Sequence, residues 1–181
     1  LAVQSVLSNI AGGLVILVTK PFQLGDLVET ADGLGTVKEI SLTFTKLETP
    51  DGLWLMTPNS VLSSGKITNY TALGRRRAEI RVGASYDAAV SDVRAACLDA
   101  AARVPGVLPD PAPIVYVDSY GESSISYIVR VWCRSEDYTD VYYGLTEGLK
   151  AAFDEHGVEM PYNHLNIHIL DQTEQKEKQT V

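Results

Sequence analysis

The first 19 residues, LAVQSVLSNIAGGLVILVT, contain no Asp, Glu, Lys, Arg or His, and their apolar positions recur at helical spacing. Val3, Val6, Leu7, Ile10, Leu14 and Leu17 form one side, and Gln4, Ser5, Ser8, Asn9, Gly12 and Gly13 form a polar, small-residue stripe. That period predicts a helix. Nineteen helical residues rise roughly 28 Å, close to the roughly 30 Å hydrocarbon core of a bilayer, so a membrane crossing is expected. In lipid the stripe must face other helices or water, because amides and hydroxyls lose hydrogen bonds in hydrocarbon. The competing reading is an amphipathic helix packed on a soluble domain. Lys20-Pro21 ends the segment. It lacks the basic leader and cleavage pattern of a secretory signal, and the missing initiator Met leads to the expectation of a C-terminal portion of a longer protein.

After Leu24 the pattern shifts to short β-rich runs at 27–30, 35–41, 43–47 and 53–57. Asp32-Gly33 and Asp51-Gly52 punctuate them as hairpin turns, since Gly accepts positive φ and Asp tolerates the adjoining position. A small antiparallel β-barrel is expected at 23–73. A unit this short holds little core of its own and should lean on neighbours or on oligomerisation. Ala72-Leu73-Gly74 and Arg75-Arg76-Arg77 mark the boundary.

Beyond that boundary the periodicity predicts strand 77–83, helix 87–104, strand 114–118, strand 124–134, helix 137–156 and strand 165–170, a βαββαβ order. Ala89, Val93, Cys97, Ala100 and Val104 share one helix face, which Pro105-Gly106 stops. Val141, Leu145, Leu149 and Phe153 share another, which meets Gly157. Both helices should pack on a sheet. Ile125, Tyr127, Val129, Val131 and Cys133 alternate with polar or larger neighbours, as a half-buried strand requires. The chain ends in a polar tail at 171–181.

Composition changes the picture in one respect. Lys+Arg 15 against Asp+Glu 23 gives a net charge of -8, and every one of those side chains lies from Lys20 onward. An acidic surface repels phosphate backbones, so no nucleic-acid partner is expected. Trp54 and Phe44 alone make no base-stacking platform.

Enzyme chemistry is not expected, and no cofactor or metal is implied. No nucleophile elbow, HExxH or CxxC occurs. Gly33-Leu34-Gly35 lacks the third glycine of a dinucleotide loop, and Gly65-Lys66-Ile67 lacks the upstream glycine and hydroxyl of a P-loop. Cys97 and Cys133 fall on core faces without metal spacing and read as buried reduced thiols. His164 and His168 are four apart, but a strand, not a helix, is expected there. Asn69-Tyr70-Thr71 is a formal glycosylation sequon, which carries meaning only in a secreted protein. Arg75 to Arg77 reads as a salt-bridged linker ahead of a lipid-headgroup contact, since three charges fall short of a lipid-reading cluster.

One ordered series of residues then points to a family. Gln4-Ser5-Val6-Leu7-Ser8-Asn9-Ile10-Ala11-Gly12-Gly13, Lys20-Pro21-Phe22 and Gly25-Asp26 resemble the pore helix and its exit in the bacterial small-conductance mechanosensitive channels. Gly35-Thr36-Val37, Asp51-Gly52, Thr57-Pro58-Asn59, Asn69-Tyr70, Tyr86-Asp87, Ser123-Ser124 and Val129-Arg130-Val131-Trp132 follow in family order, to about residue 170.

The resemblance implies an α+β chain: a pore-lining transmembrane helix at 1–22, a Sm/SH3-like β domain at 23–73, a ferredoxin-like α/β domain at 74–163, and at 164–170 a strand of an oligomeric barrel. It implies a homoheptamer in the bacterial inner membrane, with residues from about 21 onward in the cytoplasm, that meets membrane lipid and passes ions and small solutes on hypo-osmotic shock. It further implies a pore constriction at Leu1, pore-helix packing and bending at Ser5, Asn9, Gly12 and Gly13, and force transfer from upstream helices through Val3 and Leu7. Asn9 and Asn59 would couple pore and β domain. The alternatives are a soluble regulatory domain that binds a small molecule, and a channel of the same family biased by a ligand.

Overall fold

The computed structural model describes residues 2–167. Leu1, His168, the end of the last expected strand and the 171–181 tail lie outside the described residues. Helix α1, Ala2–Thr19, ends where Lys20 takes φ 47 before Pro21. Proline disfavours the α conformation in the residue before it, which accounts for the stop.

The β domain is a five-stranded antiparallel sheet in the order β4-β3-β2-β1-β5. Its strands are β1 (Leu27–Thr30), β2 (Gly33–Ile40), β3 (Phe44–Glu48), β4 (Trp54–Pro58) and β5 (Thr68–Asn69). Both expected hairpins are present: Thr30 pairs with Gly33 across a two-residue turn, and Asp51-Gly52 lies in the loop between Glu48 and Trp54. The ladder has β4 and β5 as its edges, and among the described residues no pairing between them closes it into the small barrel expected at 23–73. A short helix that the periodicity missed, α2 (Asn59–Ser64), stands between those edges. The core of this unit is Ile16, Phe22, Val28, Val37, Leu47 and Leu62, and Ile16 comes from α1.

The membrane-crossing helix expected at 1–22 is also corrected: among the described residues no helix is long and apolar enough to cross a membrane. The polar stripe lowers the hydropathy of α1, and its glycine face is buried against the β domain rather than left for lipid.

The α/β domain comprises β6 (Arg75–Ala84), α3 (Val90–Arg103), β7 (Ile114–Tyr120), β8 (Ile125–Arg134) and α4 (Tyr138–Glu155). The sheet order is β6-β8-β7, all antiparallel. Both helices cover the sheet: Val93, Cys97 and Ala100 of α3 and Val141, Leu145, Leu149 and Phe153 of α4 are buried as anticipated, whereas Ala89 is exposed ahead of α3, Val104 is its half-buried C-cap, and Ala96 and Ala101 complete the buried face. This supplies three of the four strands of the βαββαβ order. The strand expected at 165–170 is not formed at 165–167, where Leu165 and Ile167 are 87% and 80% exposed.

Candidate functional site

The site with the most elaborate polar construction lies where α1 meets α2 and the loop between β2 and β3. Glycine makes the approach close enough. A Cβ on Gly12 would fall 2.7 Å from the Asn59 carbonyl carbon, and one on Gly13 would fall 2.3 Å from the Leu42 carbonyl oxygen. Helix α1 runs through both glycines without a break, so their missing side chains serve contact between helix and domain.

Asn9 and Asn59 are brought to this same junction. Helix α2 follows Pro58, which offers no side-chain cap, and a helix of six residues cannot spare its first N–H groups. Asn9 supplies the acceptor from outside: its Oδ1 accepts the Ser60 backbone N–H at 3.1 Å. Asn59 is fully buried. Its Nδ2 donates to the Ser41 carbonyl at 2.8 Å, its Oδ1 accepts from Thr45 Oγ1 at 2.9 Å, and its backbone N–H reaches the Thr43 carbonyl at 3.0 Å. A buried amide satisfied on both ends is costly to move, because displacement strands each partner.

The chain leaving α1 is tied down a second time. Asp26 accepts hydrogen bonds from the Gln23 N–H at 2.8 Å, from Asn69 Nδ2 at 2.9 Å and from Thr71 Oγ1 at 2.9 Å. Partial burial opposes its ionisation, but the Asn69, Gln23 and Thr71 bonds outweigh that and hold the carboxyl below its usual range. Asn69 also donates to the Pro21 carbonyl at 3.3 Å, which fastens the exit of α1 to β5.

The outward face of α1 has a different character. Val3, Leu7, Leu14 and Val18 are 81%, 66%, 60% and 72% exposed, and Ser5 also lies on an exposed part of the helix. Leu1 lies outside the described residues.

The residues missed by sequence reading are Ser41, Leu42, Thr45 and Ser60, and Asp26 and Asn69 were landmarks whose bonding to each other and to Thr71 was not anticipated. A proline directly before a short run without its own cap was the available signal for a cap from elsewhere. The remaining chemical candidates do not converge. Cys97 and Cys133 are free and buried, and burial pushes the Cys97 thiol up to about 12. His164 is held through its backbone N–H, which donates to Ser123 Oγ at 2.9 Å. Among the described residues no group of His, Cys, Asp or Glu is arranged to hold a metal ion.

Comparison with known proteins joins this geometry to the landmarks in the chain. Residues 5–72 match the family model described as "Mechanosensitive ion channel, beta-domain", and residues 78–160 match "Mechanosensitive ion channel MscS, C-terminal". The chain belongs to the mechanosensitive ion channel family. The first match begins inside α1, so the family pattern treats that helix and the β domain as one unit, as the packing does. A "Small-conductance mechanosensitive channel" of Edwardsiella ictaluri is 32% identical over 169 residues, covering 93% of this chain and 59% of that protein. One of the same description from Helicobacter pylori is 29% identical over 177 residues, covering 97% and 65%.

The crystal structure of Helicobacter pylori MscS in its closed state superposes with a TM-score of 0.87 at 29% identity, covering 94% of this chain and 68% of that one. Arabidopsis thaliana MSL1, at 20% identity and a TM-score of 0.74, shares the fold over 90% of this chain and 61% of its own. The chain spans about 60% of the length of the first curated relatives it matches.

Proposed function

We propose that this chain forms the pore exit and cytoplasmic vestibule of a homoheptameric channel in a bacterial inner membrane. The channel opens under membrane tension and releases ions and small solutes on hypo-osmotic shock. The observation that carries the reading is the two-sidedness of α1, whose glycine and asparagine face is committed to the β domain while Val3, Leu7, Leu14 and Val18 stand exposed. An apolar stripe this continuous calls for lipid or neighbouring helices.

In this reading α1 is the link between the membrane-crossing part of the channel and the β domain. Tension that draws the surrounding helices outward acts on Val3 and Leu7, and the Asn9–Ser60 bond with the Asn59 network carries the displacement into the β domain. Leu1 contributes to an apolar ring narrow enough to shed water, where an ion would have to lose its hydration shell; widening rewets the ring. Ser5 sits where neighbouring pore helices pack, and a small side chain there permits close approach. Seven acidic copies would surround the solute path with negative charge.

The test is survival. A bacterial strain stripped of its own osmotic-release channels should survive abrupt dilution when it expresses the full-length protein, and mass photometry should count seven copies per particle. Lysis at the rate of the empty strain, or a detergent-free monomer or dimer, would favour a soluble regulatory role. Leu1→Ser should lower the opening tension, since a polar ring wets more readily; an unaltered threshold places the gate elsewhere.

A further inference from the structure

We propose that the cleft between the β domain and the α/β domain, lined by Arg75 and Arg76, binds a soluble phosphate-type oxyanion. The starting observation is an imbalance. In a chain of net charge -8 carboxylates outnumber cations, and most arginines have found one. Arg77 pairs with Glu79 at 2.6 Å, Arg81 with Asp118 at 3.1 Å, Arg103 with Asp99 at 2.6 Å and Glu155 at 2.7 Å, Arg130 with Glu79 at 3.1 Å, and Arg134 with Asp137 at 3.0 Å. Among the described residues, Arg75, Arg76 and the exposed Arg94 have no ion pair, and the first two are sequence neighbours in one cleft of ≈ 410 Å³.

Those two guanidinium groups are held by aromatic faces instead. Arg76 lies 3.5 Å above the Tyr138 ring and 4.6 Å from the Tyr70 ring, and Arg75 lies 5.2 Å from the Trp132 ring. Stacking occupies the flat face of a guanidinium and leaves its in-plane N–H donors free, which is the fork that matches two oxygens of a phosphate. The carboxylates bonded to those rings or next to them in sequence are already engaged. Glu29 accepts the Tyr70 hydroxyl at 2.5 Å and Asp137 accepts from Arg134. The stacked rings fix the forks in advance, so less side-chain entropy is lost on binding.

The placement gives the site a consequence. Tyr70 follows β5 of the β domain and Tyr138 opens α4 of the α/β domain, so an anion held by Arg76 beside those two rings would tighten the joint between the two units, with Arg75 approaching from the other face of the edge strand β6. The cleft volume suits a ligand as large as a nucleotide.

Equilibrium binding tests this independently of conduction, so a failure here and a failure of the channel reading are seen separately. The full-length protein in phosphatidylcholine nanodiscs is titrated with inorganic pyrophosphate by calorimetry, against chloride at equal ionic strength. Saturable binding of pyrophosphate alone is expected. The double variant Arg75→Gln/Arg76→Gln should weaken it at least about tenfold, and Arg94→Gln should leave it unchanged. Arg75→Lys/Arg76→Lys keeps the charge and the fold but loses the planar forks, and should also bind less tightly than the wild type. Binding that is absent, or equal in all variants, overturns the proposal. An affinity that falls when phosphatidylglycerol replaces phosphatidylcholine, in salt high enough to screen the bilayer surface charge, assigns the cleft to lipid headgroups and overturns it too. So does absent binding with a changed particle mass in the double variant, which gives the arginines to a carboxylate of a second copy.

Discussion

The two domains of this chain are held together by different means. The α/β domain encloses twenty buried residues in one cluster, among them Tyr127, Leu145, Leu149 and Phe153, and all are its own. The β domain encloses six, one of them lent by α1, and adds a network of amides, hydroxyls and carbonyls around Asn59 and Asp26. Apolar burial is non-directional and tolerates small shifts, whereas a hydrogen-bonded junction is either made or broken. In the function proposed above, that contrast suits a firm α/β domain beside a junction that can be remade, since elements that move are drawn from the less stable parts of a fold.

The largest effect that can break the contrast is a cavity in the base. Phe153→Ala should cost about 3–5 kcal/mol and lower the melting temperature of the α/β domain, while leaving hydrogen exchange of the α1 amides unchanged. Faster exchange in α1 would mean that the two regions unfold as one unit. Next comes Gly13→Ala, whose Cβ would overlap the Leu42 carbonyl. Relief requires α1 to lift by a few tenths of an ångström or more, at about 1–3 kcal/mol, with faster exchange confined to α1 and α2. Exchange at the wild-type rate would show that the approach is looser than described.

Asn59→Ala should follow, at about 1–3 kcal/mol, since it strands the Thr45 hydroxyl and the Ser41 carbonyl. Asn9→Ala should cost about 1 kcal/mol through the lost cap on α2, again read as exchange in α2. The smallest effect concerns pH. The Asp26 carboxyl is held below its usual range in the folded chain, so its stabilisation is complete above the ordinary aspartate value and is lost as pH falls through the lowered one. Asp26→Asn should remove that acid-dependent part of the β-domain melt and leave the α/β melt unaltered.

Most of the α/β domain was legible from the chain, because its signals are the ones periodicity carries. Val141, Leu145, Leu149 and Phe153 mark a helix face, and the alternation from Ile125 to Cys133 marks a strand. The β hairpins were legible through Asp32-Gly33 and Asp51-Gly52. Three features were not. Helix α2 is too short to show a period, and its cap sits 51 residues away on Asn9. The polar stripe of α1 was visible, but a stripe alone does not say whether lipid, a neighbouring helix or the chain's own β domain lies against it; the Leu42 and Asn59 backbones answer that for Gly12 and Gly13. The closing strand at 165–170 alternates clearly, yet alternation does not supply a neighbour. In the candidate site Asn9 and Asn59 were found through a family resemblance, and Asp26 and Asn69 stood among its landmarks without a role, while Thr45 and Ser60 were not legible because a strand threonine and a backbone N–H carry no mark of a distant partner.

In the proposed function the α1–α2 junction links membrane tension to the β domain. Patch recording of the full-length protein in liposomes, under stepped suction, tests it most directly when wild type, Asn9→Ala and Asn59→Ala are compared in matched patches. Suction-activated current in the wild type and an altered recovery from the non-conducting state in both variants are expected. Absence of suction-activated current in the wild type, or recovery identical in all three, would contradict that function.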